Sequence, residues 1–120
     1  MSDILTKAEW AVMSALWEKP HQTISGIIQT VGDKQNWKYN TYATYIKRLV
    51  DKGFIAYAQS GRDKLYYPAV EKSACLLSES KEVKEKIDEK STKDFLVYMI
   101  QDGGLSEDDR KELMALLESL

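Results

Sequence analysis

Residues 40–67 constrain this chain most, because an amphipathic helix there runs through one glycine directly into a two-stranded hairpin. Tyr42, Tyr45, Ile46, Leu49 and Val50 recur at i, i+3, i+4, i+7 and i+8, the period of a helix that lays one side on a core. Thr41, Thr44, Lys47 and Arg48 are left on the opposite side. Gly53 supplies a left-handed stop to the helix. Phe54-Ile55-Ala56-Tyr57-Ala58-Gln59 and Lys64-Leu65-Tyr66-Tyr67 then flank Ser60-Gly61-Arg62-Asp63, two strand-forming runs about a turn. The turn carries a cation at its tip.

Two helices precede this segment. Thr6-Lys7-Ala8-Glu9 has the form of a capping box, in which Thr6 and Glu9 each satisfy a free backbone donor. A first helix is expected from Lys7 to about Lys19, with Trp10, Val12, Met13, Leu16 and Trp17 facing inward and Pro20 removing the next donor. Thr23 caps a short second helix whose Ile24, Ile27, Ile28 and Val31 form the cleanest stripe in the chain, and Gly32 ends it. The polar stretch Asp33 to Tyr39 reads as a connection, with Trp37 either anchoring it or adding a very short strand beside the hairpin. The third helix is expected to begin between Lys38 and Thr41, with Asn40 the best cap by residue type. Pro68 closes the second strand where no further ladder donor is required.

From Ala69 the composition changes, which predicts a first domain over 1–70 and a helical region over 71–120. Residues 1–70 hold 9 Lys/Arg against 6 Asp/Glu, and residues 71–120 hold 8 against 13, so only the first half carries a positive surplus suited to phosphate. Glu71 to about Lys90 reads as a charged helix with Leu76, Leu77, Val83 and Ile87 on one stripe, supported by pairs such as Glu82–Lys86. Phe95-Leu96-Val97-Tyr98-Met99-Ile100 is apolar on all sides, so a helix there must be almost fully enclosed. Gly103-Gly104 breaks the chain, and Ser106 with Asp109 starts a last helix bearing Leu113, Leu116, Leu117 and Leu120. Three short helices cannot shield that much apolar surface alone. Closure against a second copy is expected, a two-fold homodimer in which Phe95, Leu96, Met99, Ile100, Leu113, Leu116, Leu117 and Leu120 meet their equivalents.

Several classes of function are excluded by missing parts. Cys75 is the sole cysteine, so no internal disulfide forms and nothing points to an oxidising compartment. His21 is the sole histidine, in a loop with no ligand at metal-binding spacing, and no glycine-rich phosphate cradle is present. An enzyme is therefore not expected, nor a metal or cofactor. No apolar run reaches the ~20 residues of a membrane span. Met1-Ser2-Asp3-Ile4 lacks the basic start of a signal peptide. A cytoplasmic protein without membrane insertion is expected.

What remains is chemistry for a DNA groove. Short polar groups at the start of a helix can reach base edges, and Asn40, Thr41 and Thr44 fit that need. Lys38, Lys47 and Arg48 are placed to hold flanking phosphates, and Arg62 and Lys64 on the hairpin would reach phosphates or a minor groove. The ordered set of three helices, a polar face on the third and a basic-tipped hairpin predicts a mainly α fold with a small β-hairpin. It corresponds to a winged helix-turn-helix followed by the helical dimerisation region. An interaction module of the same shape, using the third helix or residues 95–100 to hold a protein partner, stays open as the alternative.

The residues also resemble a known family. Ala8-Glu9-Trp10-Ala11-Val12-Met13, Leu16-Trp17, Asn40 to Leu49, Lys52-Gly53-Phe54-Ile55 and Tyr66-Tyr67-Pro68 are similar to the penicillinase and methicillin-resistance repressor family (BlaI/MecI/CopY). The likeness runs from about Leu5 to Val70 and is weaker beyond. It implies a homodimeric repressor of an inverted-repeat operator, typically with TACA and TGTA half-sites, read through the positions of Asn40, Thr41, Ala43 and Thr44. Ala43 departs from relatives that carry a long basic residue there. The release mechanism does not carry over: antibiotic-sensing members are cut at an Asn-Phe bond where this chain has Tyr98-Met99, and copper-sensing members carry Cys-x-Cys pairs, which this chain lacks after Cys75, so cleavage at that bond and copper sensing are not expected even if a sensor protease is a partner.

Overall fold

In the computed structural model the described residues are 4–120, and the chain forms two compact units, one ending at Ser80 and one running from Lys81 to Leu120. The Met1 to Asp3 segment, on which the expectation of no signal peptide partly rests, lies outside the described residues.

Helix α1, Lys7–Glu18, opens on the capping box read from sequence. The Glu9 amide donates to Thr6 Oγ1 at 3.1 Å and the Thr6 amide donates to Glu9 Oε1 at 2.9 Å, an arrangement that contributes about 1 kcal/mol. Lys19 then turns extended, as a residue before proline must. A tight connection follows in which His21 holds a positive φ of 64°. Gln22 fastens this corner in three directions. Its backbone exchanges hydrogen bonds with Tyr66 at 2.9 and 2.7 Å, its Nε2 donates to the carbonyls of Ala15 and Lys19, and its Oε1 accepts from Thr30 Oγ1 at 2.7 Å. The position beside the hairpin that Trp37 was a candidate to fill is thus occupied by Gln22.

Helix α2, Ile24–Val31, is capped by Thr23, whose hydroxyl accepts from the Gly26 amide at 3.1 Å. Ile27 and Val31 are buried while Ile24 and Ile28 are half-buried. A 3-10 turn, Gly32–Lys34, leads to the connection before α3, Tyr39–Asp51. Asn40 is not the cap of this helix but its second residue. Lys38 is the N-cap, and its carbonyl accepts from the amides of Thr41 and Tyr42 with no side-chain cap bond. Packing fixes this earlier start: the Trp37 ring lies 5.2 Å from Tyr42 and 5.0 Å from Tyr45, so the entry to the helix is held by aromatic contact.

The end of α3 is a Schellman motif, in which Phe54 N donates to Leu49 O at 2.9 Å and Gly53 N to Val50 O at 3.0 Å with Gly53 at φ 85°. Strands β1, Ile55–Ser60, and β2, Asp63–Pro68, follow as an antiparallel pair in which Ser60 opposes Asp63. The turn is therefore two residues, Gly61 and Arg62, not four. Its positive φ falls on Gly61, as a type II′ hairpin turn requires.

One cluster holds this unit together. Val12, Met13, Leu16, Ile27, Tyr42, Ile46 and Leu49 are fully enclosed, joined by Phe54, Ile55 and Tyr66 from the hairpin. Full burial of a Leu or Ile side chain contributes about 1.5–3 kcal/mol. Helix α1 packs on α2 and α3, β2 lies against α1, and β1 against α3. The Trp17 indole N–H donates to Val70 O at 3.0 Å, tying α1 to the chain just past the hairpin.

The remaining helices are α4, Lys72–Lys86, α5, Glu89–Gly103, and α6, Glu107–Ser119. The single charged helix expected to reach Lys90 ends instead at Lys86. Asp88 accepts from the Ser91 amide at 2.8 Å and caps α5, which therefore begins earlier than the apolar run alone indicates. Ser106 caps α6 through the Asp109 amide as expected. Cys75 of α4 is buried in the main cluster, but α5 and α6 bury no residue. Phe95 and Leu113 are half-buried, and Leu96, Met99, Ile100, Leu116, Leu117 and Leu120 are exposed. No described helix is long and apolar enough to cross a membrane.

Candidate nucleic-acid interface

The core stripe of α3 determines what its outer side can offer. With Tyr42, Ile46 and Leu49 buried, the residues opposite are Asn40, Ala43, Thr44 and Lys47, spaced i, i+3, i+4 and i+7, so they form one continuous strip along the helix. Asn40, Thr44 and Lys47 are exposed, and Ala43 and Thr41 half-buried at its borders. All four residues read from sequence as base-facing thus lie on or beside one exposed face, within the first two turns.

The hydrogen-bonding capacity of that face is uneven. Among the described residues, the Asn40 carboxamide and the Thr41 hydroxyl make no hydrogen bond, whereas Thr44 Oγ1 donates to the Asn40 carbonyl at 2.9 Å. A free carboxamide can engage an adenine edge with donor and acceptor together. Thr44 has already spent its proton on the backbone.

Cations lie on the strip and around it. Lys38, Lys47, Arg48, Arg62 and Lys64 are all exposed, and among the described residues none of them pairs with a carboxylate. The ion pair that does form is Lys52 with Glu9, 2.8 Å, linking the end of α3 to α1. Arg48 sits 6.0 Å from the Tyr45 ring and Lys64 4.6 Å from the Tyr57 ring, contacts that steady the long side chains without neutralising them.

The hairpin and the starts of α2 and α3 border a groove, with the Asp63 carboxylate also on its rim. An open cleft of about 470 Å³ is lined by Thr23 and Ser25 at the start of α2, Tyr39 at the start of α3, and Gln59, Arg62 and Lys64 on the hairpin. Thr23, Ser25, Tyr39 and Gln59 are not marked by any local sequence signal as a group. Their convergence follows from the Gln22–Tyr66 pairing, which brings the start of α2 against β2.

Beneath the face, Tyr42 is buried and its hydroxyl has no partner among the described residues. Burial pushes that phenol up from its ordinary pKa. Glu9 is 2% exposed, and burial alone would raise its carboxyl. Hydrogen bonds from Lys52 and Thr6, with the Lys52 charge, outweigh burial and hold it below the usual carboxylate range.

Comparison with known proteins agrees with this geometry. The methicillin resistance regulatory protein MecI of Mammaliicoccus sciuri is 29% identical over 113 residues, spanning 94% of this chain and 92% of that protein. Two solution structures of BlaI match with 27% identity over 61% of this chain and 92% of each: the DNA-binding domain, at a TM-score of 0.53, and the Bacillus licheniformis monomeric form in complex with the blaP half-operator, at 0.52. They share the three-helix and hairpin architecture, so the fold is a winged helix. The model of the penicillinase repressor family, a family of transcriptional repressors rather than enzymes, matches residues 5–119, and the chain belongs to that family.

Proposed function

We propose that the chain is a transcriptional repressor that binds an inverted-repeat operator as a homodimer, with α3 in the major groove and the hairpin as a basic wing. The observation that carries this reading is the exposed polar strip of α3, with Asn40 free to bond, together with five cations that pair with no carboxylate among the described residues. Asn40, Thr41, Ala43 and Thr44 face the bases, Lys38, Lys47 and Arg48 hold phosphates beside them, and Arg62 and Lys64 hold the backbone at the wing. The half-operator bound by BlaI supports the same mode here.

Dimerisation rests on a different observation. Leu96, Met99, Ile100, Leu116, Leu117 and Leu120 leave more apolar surface in solvent than a lone chain keeps, and a second copy brings the two recognition helices to a dyad. The protein acts where the DNA is, in the cytoplasm. A sensor protease as releasing partner would meet Tyr98-Met99 inside α5 rather than an Asn-Phe bond, so cleavage at that bond is not the proposed signal.

Selection of duplexes from a random-sequence pool by the full-length protein tests the reading. A dyad should be recovered, and its affinity should fall with salt on a log–log slope of about −0.9 per phosphate neutralised. Recovery of no preferred sequence, together with a monomer at all concentrations, would favour the protein-interaction module instead.

A further inference from the structure

We infer that the reading face of α3 is weighted toward thymine methyl groups, with Thr44 recognising thymine through its γ-methyl rather than its hydroxyl. The inference rests on the proposed DNA-binding role and specifies how that same face discriminates.

One bond limits what Thr44 can offer a base. Thr44 Oγ1 donates to the Asn40 carbonyl, 2.9 Å away and four residues back. A threonine hydroxyl has a single proton, so Thr44 cannot also donate to guanine O6 or N7 or to thymine O4. The same bond turns Oγ1 back toward the preceding turn, so the methyl is the part of this exposed side chain that the helix does not engage. Thr44 is exposed, and the strip neighbour Ala43 presents nothing but a methyl. The strip therefore offers a methyl from Ala43 at its half-buried border and one from exposed Thr44, and the partner that such groups select in a major groove is the C5-methyl of thymine. Asn40 and Thr41, whose side chains are uncommitted among the described residues, keep the hydrogen-bonding share of the recognition. Thr44 retains a lone pair that can accept from adenine or cytosine amines, and the test must separate that possibility from methyl contact.

The full-length protein is first used to select its preferred duplex, and each thymine in the recovered half-site is then replaced singly by deoxyuridine, which removes only the methyl. At one thymine per half-site the affinity should fall about three- to fivefold, the change expected on losing one buried methyl contact. Thr44→Ser keeps the hydroxyl and loses the methyl, so it should bind the thymine duplex more weakly and no longer distinguish it from the uracil duplex at that position. Thr44→Val keeps the methyl and lacks the oxygen, so it should retain the thymine-over-uracil preference. Helical circular dichroism of both variants checks that α3 is intact. The inference is overturned if no uracil replacement matters, if Thr44→Ser keeps the preference, or if Thr44→Val loses it. If no duplex is selected at all, the DNA-binding reading itself fails, a result distinct from a selected duplex that is indifferent to uracil.

Discussion

The two units treat the same residue types in opposite ways. In the unit that ends at Ser80, Leu16 and Leu49 are wholly removed from water, and each helix and strand sends a side chain into one cluster. In residues 81–120, Leu116 and Leu117 remain 55% and 56% exposed, and α5 and α6 bury nothing. Three helices crossed by a hairpin enclose an interior, whereas two helices joined through Gly103 and Gly104 have too little surface of their own to do so. One unit is therefore a self-sufficient platform for a reading face. The other leaves apolar surface in solvent, which the proposed second copy would cover.

The contrast is broken most directly by truncating leucines on both sides of it. Leu16→Ala should cost about 2–5 kcal/mol in urea unfolding of the full chain. Leu116→Ala should change the stability of dilute protein by less than about 0.5 kcal/mol and weaken self-association in sedimentation instead. Equal losses of stability would erase the distinction.

Next in size is the Glu9–Lys52 pair, which belongs wholly to the first unit. Lys52→Ala leaves a buried carboxylate with only the Thr6 amide, a loss of about 2 kcal/mol once the partial exposure of Lys52 is allowed for. Because the Glu9 carboxyl titrates below its ordinary range when folded, its contribution is complete above the unfolded glutamate pKa and disappears as pH falls through the folded value. Acid titration of wild type should show that loss, and Glu9→Gln should lack the Glu9 share of it, leaving the dependence from groups such as Asp88, whose carboxyl the Ser91 amide also holds below its ordinary range.

Smaller again is Gly61→Ala at the wing tip. Nothing lies within 4 Å of the added methyl, so only the positive φ resists it, about 1–2 kcal/mol on thermal melting. Arg62→Ala, one residue on, should leave the melt unchanged within about 0.5 kcal/mol and reduce the salt slope of DNA binding by about one. A large stability loss from Arg62→Ala would mean that the wing cation is structural.

Local chemistry made much of the platform legible before any coordinates. Thr6, Thr23 and Ser106 announce their helices because a hydroxyl before an apolar stripe has one favourable use, and Gly53 and Gly61 sit where backbone sterics favour glycine. Contacts between distant residues left no such mark. Glu9 and Lys52 are 43 positions apart, and nothing around either predicts the other. The Lys38 start of α3 depends on Trp37 reaching Tyr42 and Tyr45, which overrides the better capping chemistry of Asn40. Asp88 did carry a signal, an acidic cap three residues before Ser91, but it was hidden within a run of charges. At the interface, the strip from Asn40 to Lys47 follows from helical period alone. The Thr44–Asn40 bond and the groove formed by Thr23, Ser25, Tyr39 and Gln59 require the folded backbone.

The stoichiometry of the full chain on DNA tests the central proposal most directly. The selected duplex is prepared as a whole dyad and as one half-site, and the complexes are measured by sedimentation velocity across a salt series. Two chains on the dyad, the same two-chain species held much more weakly by the half-site, and dyad binding that weakens steadily with salt are the expected result. One chain on both duplexes, or equal binding to a scrambled sequence, would contradict a dimeric operator-binding repressor.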